Sequence, residues 1–477
     1  MRYTLMLLAL LAAFSTSTVK AQIAADLLVA QGDALGGSTV SSLNPPFLNG
    51  LGQVGFNAEL VDENLSIVLN GAEVFSSTGV TPAIDSIDGA MGFGNAGEFI
   101  YRPVVGGNDA VWNQDGSLIA EGMQAPGFDS GVILTSFTTP MLTDDGTAYW
   151  NGGINDGTDS TTTAGRVIYR RNTDGSIDVV LSSGGVVDGE TVGSGSSSIG
   201  FVYQFSRNNE NSIFELNVDR SDTIVAANDG RVLVNSQFVA AEDSPVVDAS
   251  ANPLDDNWDN FDRFTINNAG NYLFTGDTNG SSDRDEFIAY NGVIQLRQGD
   301  AIAEGLLSGS VDAVTINNSN ATTFIWDLDP NDGSDALETL FFAGDASDMS
   351  GLSVVASVGD ELDFDGDGIA DQILSNFTAV FGLGAELALT EDGVIYAQVT
   401  LTDLVDGTVE TDAIVAFSTG GSLLLGDVNR DGIVDFSDIA PFIRILAADS
   451  FQLEADIDKN GVVDFDDIAP FIIILGS

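Results

Sequence analysis

One phrase returns along most of this chain: an apolar pair, then Gly-Asp, then a spacer, then an Asn/Asp-Gly turn running into alternating apolar residues. It opens as LLVAQGD at Leu27 to Asp33, with LNGLGQVGFNAEL following at Leu48 to Leu60. Counterparts of the first half begin at Leu118, Val179, Gln295 and Ser353, and counterparts of the second at Gly92, Leu142, Ile266 and Leu389. Pieces such as VWNQDG, IYRRNTDG, TIVAANDG and IAYNGV close the units. Cut there, the stretch from Leu27 to Gly420 gives about seven units of about 56 residues each.

Within a unit, apolar residues alternate with period two, as at Val54, Phe56 and Ala58 or at Val394 and Tyr396, and Gly, Asn and Asp interrupt them. This is the pattern of short strands joined by tight turns. A unit of this length cannot bury a face alone, so it must stack on its neighbours. The fold class expected is mainly β, with a tandem β-repeat body over residues 22–420. A seven-bladed β-propeller fits best, and a β-sandwich array is the alternative.

Composition limits the chemistry. The 477 residues hold 71 acidic and 15 basic side chains, no Cys and no His. Disulfides, thiolate nucleophiles, an imidazole base and the usual zinc or haem ligands are therefore excluded. Carboxylates remain, and they still permit a paired-carboxylate glycosidase. A net charge of -56 repels nucleic acid and anionic membranes and favours cations. With 44% hydrophobic residues the chain has enough apolar material to fold.

The first 21 residues have a basic start at Arg2, an apolar run from Leu5 to Phe14 and small residues up to Ala21. They read as a signal peptide over residues 1–21. The apolar run falls short of the roughly 18 to 20 residues that span a bilayer, and no later segment reaches that length. The expectation is an exported protein, extracellular or at the cell surface, with no transmembrane segment.

The last fifty or so residues carry a different duplication, GDVNRDGIVDFSDIAPFIRIL answered by ADIDKNGVVDFDDIAPFIIIL. In the first copy Asp427, Asn429, Asp431, Ile433, Asp435 and Asp438 occupy positions 1, 3, 5, 7, 9 and 12 of an EF-hand calcium loop, with Gly432 at position 6. In the second copy Asp456, Asp458, Asn460, Val462, Asp464 and Asp467 do the same, with Gly461 at position 6. Alternate residues of such a loop point at one ion, the glycine permits the sharp turn, and position 7 offers its carbonyl. Two Ca²⁺ sites are expected. After each loop, Ile439, Phe442, Ile443 and Leu446, and likewise Ile468, Phe471, Ile472 and Leu475, recur at helical spacing. Pro441 and Pro470 fall in the first turn, where a missing N–H is tolerated.

Two calcium loops, each feeding one helix and lacking the entering helix of an EF-hand, resemble a type I dockerin over about Leu425 to Ser477. The resemblance implies a small all-α domain, residues 421–477, that docks onto a cohesin-type or surface scaffold protein. It places the recognition residues at loop positions 10 and 11, here Phe436, Ser437, Phe465 and Asp466. A calcium-set clasp against the repeat body is the alternative role for the tail.

A third acidic loop, DFDGDGIAD, sets Asp363, Asp365, Asp367, Ile369 and Asp371 at positions 1, 3, 5, 7 and 9, although position 12 is Leu374. It is a further calcium candidate. In the body no local pattern selects a catalytic pair. The four tryptophans, Trp112, Trp150, Trp258 and Trp326, read as blade core or edge, and Asp255 to Arg263 reads as the best loop for ligand contact. The reading is therefore a non-catalytic body that binds or displays an extracellular ligand, with polysaccharide as the candidate class, tethered by a calcium-dependent tail. A glycoside hydrolase and a purely structural surface protein are the alternatives.

Overall fold

In the computed structural model, the described residues are 23–157, 162–218, 230–247, 252–330, 333–364, 369–378, 387–404, 407 and 409–419 of the body. In the tail they are 426, 428, 434, 436–448, 455, 457 and 463–475. The body is mostly β and forms a seven-bladed propeller. Blades one to six are antiparallel meanders spanning 38–76, 86–120, 134–182, 199–241, 253–297 and 306–357. Blade seven takes three layers from 372–418 and a fourth from the other end of the chain. That fourth strand is Ile23–Ala30, which lies antiparallel to Glu410–Ser418 with Ala25 opposite Phe417 and Ala30 opposite Ala413. The beginning of the body thus closes the ring onto its end.

The two halves of the repeated phrase have distinct structural duties. The Gly-Asp half is the outermost strand of one blade and its step to the innermost strand of the next. Asp33, Asp300 and Asp360 each accept the N–H three residues earlier, from Ala30 (2.8 Å), Arg297 (2.9 Å) and Ser357 (2.7 Å). The preceding glycines, Gly32, Gly299 and Gly359, have positive φ of 100°, 81° and 90° and donate to Val40, Leu307 and Leu374 at the head of the next blade. A side chain at these φ values would be strained, which explains the glycine. The Asn/Asp-Gly half is the hairpin between the first and second strands of a blade. The sequence repeat is therefore offset by one strand from the blade, and this offset sends Leu27 to Asp33 back to blade seven.

The core lies between blades. Each seam buries side chains from both neighbours: Phe93 and Tyr101 of blade two meet Ile67 of blade one, and Trp258 and Phe274 of blade five meet Ile213 and Val232 of blade four. All four tryptophans are core, Trp150 and Trp326 completely buried, Trp112 and Trp258 nearly so. The span Asp255 to Arg263 is not a loop. It belongs to the strand Pro253–Ile266, and Trp258 packs on Phe287 with ring centroids 4.8 Å apart. Among the described residues no helix is long and apolar enough to cross a membrane.

Candidate functional site

The first strands of all seven blades surround a central cavity of about 150 Å³, lined at one end by Leu48, Gly92, Leu142, Phe205, Ile266, Ile316 and Leu389. The hairpin turns that follow these residues are tied to one another across the seams. Asn208 donates its N–H to the Asn268 side chain (2.9 Å), Asn268 to that of Asn318 (2.8 Å), and Asn318 to Glu391 (3.0 Å). On the other side of the ring Arg207 of blade four reaches the carbonyls of Phe93 (3.0 Å) and Leu142 (3.2 Å) in blades two and three. Its Nε lies 3.3 Å from Asp144, whose carboxylate also accepts from Gly50 of blade one and Asn95 of blade two. Burial pushes the Asp144 carboxyl up and the Arg207 guanidinium down, and each offsets the other. This end of the cavity is drawn together by one cation and one anion.

The seams also hold carboxyls that the sequence reading missed. Glu286 of blade five accepts the Val311 N–H of blade six (3.1 Å), and Glu338 of blade six accepts the Phe377 N–H of blade seven (2.8 Å). Burial is the main cause that lifts Glu286 to about 8 and Glu338 to about 7, with Asp277 adding to the first and Asp312 and Asp327 to the second. The available signal was alternation: Glu286, Ile288 and Tyr290 share a strand face, so an acid heads an apolar face. Each of these two carboxyls is committed to a backbone donor of the next blade.

In the tail, each loop delivers a 3₁₀ turn into a helix: Phe436–Asp438 into α1 (Ile439–Ala448), and Phe465–Asp467 into α2 (Ile468–Leu475). The two helices meet through equivalent phenylalanines, Phe442 and Phe471, stacked with centroids 4.3 Å apart. Val428, Ala455, Ile457 and Val463 complete a small core. Asp438 and Asp467, at loop position 12, are fully buried. Asp467 turns into its loop, with one oxygen accepting from Ile457 (2.7 Å) and the other from Asp464 (2.9 Å). A buried carboxylate at the end of a segment whose sequence is rich in oxygen side chains fits a hard divalent cation, which would compensate its charge.

The remaining loop positions, Asp427, Asn429, Asp431, Ile433, Asp435, Asp456, Asp458, Asn460 and Val462, lie outside the described residues. So do Asp365 and Asp367 of the third acidic loop. Among the described residues no three metal-type side chains converge. In that third loop Asp363 is buried, Ile369 is exposed, and Asp371 accepts the Phe364 N–H (2.7 Å), closing a hairpin.

Phe436 and Phe465 are 79% and 78% exposed, an unusual setting for phenylalanine. Ile443, Ile472 and Ile473 are exposed as well. The expected apolar helix face is thus only partly buried: Phe442 and Phe471 face inward, while Ile443 and Ile472 face outward. Ser437 and Asp466 belong to the described 3₁₀ turns, though their side chains lie outside what is described.

Residues 425–472 match the family model of the dockerin type I domain. The tail is a type I dockerin domain. Dockerins of this type bind calcium, and their presence implies assembly onto a cohesin scaffold. No curated protein matches the chain.

Among solved structures the chain is similar to PorZ, a bacterial surface component of the type-IX secretion system of Porphyromonas gingivalis. The TM-score is 0.38 at 12% identity, over 85% of this chain and 48% of that one. An acylaminoacyl peptidase of Pyrococcus horikoshii gives 0.41 at 8% identity, over 76% and 51%. The dihydro-heme d1 dehydrogenase NirN gives 0.36 at 10%, over 84% and 77%. The chain spans about half the length of the first two. These likenesses are weak and concern the fold alone.

Proposed function

We propose that this is an exported protein whose dockerin tail attaches a non-catalytic propeller to a cohesin-type or surface scaffold. Residues 1–21 serve as the leader, 22–420 as the body and 421–477 as the docking domain. Each tail loop holds one Ca²⁺ through the six residues at positions 1, 3, 5, 7, 9 and 12, and the loop at 363–371 is a third candidate. The body binds or displays an extracellular ligand, with polysaccharide the first class to test.

The observation that carries the docking role is the pair Phe436 and Phe465. They sit 29 residues apart in equivalent turns, almost fully exposed beside buried metal-loop carboxylates. Large apolar side chains held out to solvent on an ordered turn mark an interaction surface, and their exposure disfavours the clasp against the body. Ser437 and Asp466 follow them as polar neighbours for specificity.

The test is binding of the full-length protein to a panel of type I cohesin modules, in Ca²⁺ and then in chelator. Replacing Phe436 and Phe465 together by Ala should abolish binding and leave calcium affinity within about twofold, since positions 10 and 11 supply no ligand. Undiminished cohesin binding by the double variant would refute the assignment.

A further inference from the structure

The second strand of every blade carries, three residues beyond the pair that closes its first hairpin, a side chain facing the next blade. Counting from those pairs gives Asn57, Arg102, Asn151, Glu215, Thr275, Ile325 and Gln398 in blades one to seven. Four of these residues do one job. Asn57 donates to the Gly89 carbonyl (3.5 Å), Arg102 to that of Phe137, Asn151 to that of Gly200 (3.0 Å) and Gln398 to that of Leu43 (2.9 Å). Every acceptor lies on the first strand of the following blade, either within a bulge of that strand, as Gly89 and Gly200 do, or one residue beyond it, as Phe137 and Leu43 do. The position is a repeated donor that stitches seam to seam.

Blade four has a carboxyl there. An ionised carboxylate has no hydrogen to donate, whereas its protonated form has one. The surroundings favour the neutral form. The Glu215 carboxyl lies over Gly200, so close that a Cβ on that glycine would fall 2.5 Å from Oε2. The charged groups acting on it are Glu242 of its own blade and Asp262 of blade five, both acidic. Arg231 of the same blade bonds the Gly230 carbonyl (2.8 Å) and lies 3.7 Å from Glu190, and the Arg263 Nε of blade five bonds the Val311 carbonyl (3.1 Å) of blade six. Asp262 itself is raised, first by burial.

We propose that Glu215 is held as a neutral carboxyl, donates across the seam between blades four and five like its counterparts in other blades, and makes that seam a pH-sensitive joint in the ring. When it ionises, the donor is lost and three carboxylates share one seam.

The direction follows from linkage. Burial, with Glu242 and Asp262 adding to it, lifts the carboxyl to about 7. A carboxyl raised in the folded state binds more protons there than in the unfolded chain, so its contribution to stability falls as pH rises from the ordinary carboxylate range through about 7. Below that range it costs nothing. Other raised acids, Glu286 and Glu338, add slopes of the same sign, so the informative quantity is a difference between variants.

The experiment compares Glu215→Gln with the parent full-length protein by thermal melts from pH 5 to pH 9 in constant Ca²⁺. Glutamine keeps the shape and donates at every pH, as Gln398 does. The two proteins should differ least at the acid end of this range, with the variant's advantage growing as pH rises to about 7 and levelling off above it. Hydrogen exchange over 253–266, corrected for intrinsic rate, should show protection lost in the parent and kept in the variant.

A melting difference that does not change with pH overturns the proposal, whatever its sign. Should Glu215→Gln fail to fold, Asp262→Asn serves instead. Removing that facing charge lets Glu215 ionise closer to the ordinary carboxylate range, so the loss of protection over 253–266 should be smaller and should level off at lower pH than in the parent, and an unchanged profile also overturns the proposal.

Discussion

Asp144 and Arg207 are separated by a whole blade's worth of chain, yet together they tether four blades at one end of the cavity. The sequence offers no hint of this, because each lies in a turn where a charged residue is ordinarily solvated. The geometry supplies the reason. Blade four's hairpin carries one residue more than the others, closing from Ser206 to Asn211 where blade three closes from Thr143 to Thr147, and the extra length projects Arg207 over the cavity. Both side chains are about a quarter exposed, so the pair is screened in part. Replacing Asp144 by Ala should still cost about 2 kcal/mol, since a guanidinium bound to two carbonyls loses its counter-charge and Gly50 loses its acceptor. Chemical denaturation of the full-length protein measures it, and Arg207→Lys should do similar damage because an ammonium cannot fork to Phe93 and Leu142 at once.

At the scale of the element, α1 and α2 are short, and their mutual stacking at Phe442 and Phe471 is a small core for two helices of ten and eight residues. Helices of this length do not hold in water on propensity alone, so their order rests on the loops that launch them. Chelating calcium from the full-length protein should therefore expose the bonds after Phe436 and Phe465 to chymotrypsin while the propeller resists. Magnesium should protect poorly, since it demands a tighter octahedral shell. A cleavage pattern indifferent to chelator would count against the metal-dependent helix.

These elements were legible because a calcium loop fixes residue type at nearly every position, and period-two strands write their pattern directly. The span Asp255 to Arg263 was misread as a loop because its acids and asparagines resemble turn composition. In the fold Asp259, Asp262 and Arg263 fall at the bulges of a long inner strand, and Trp258, Phe261 and Arg263 are the buried side chains of the span. Glu215 was likewise invisible: its role follows from register against the neighbouring blade, a long-range fact that no local window contains.

For the molecule as a whole, the decisive arrangement is that Ile23–Ala30 completes blade seven although it begins the body. Strand repeats that stack in a line leave two ends, and each end exposes a row of unpaired N–H and C=O groups. A ring removes the ends, but a chain whose units matched its blades would leave the first and last blades joined only by side-chain packing. The one-strand offset adds a backbone ladder to that seam, pairing Ala25 with Phe417 and Leu27 with Val415, while Val29 packs with Val40 and Leu60 of blade one.

Deleting residues 23–30 should therefore do more than remove one strand. It should open the ring, bare the edge of Glu410–Ser418, and lower the melting temperature by about 10 °C or more with a broadened transition. Because Ala25 already lies opposite Phe417, a permuted chain that places 23–30 directly after residue 418 through a short turn, ahead of the tail, keeps every pairing and should melt close to the parent. Calorimetry of the two variants side by side decides the matter. A truncated protein that melts as sharply as the parent, within about 2 °C, would show that the ring does not depend on its closing strand.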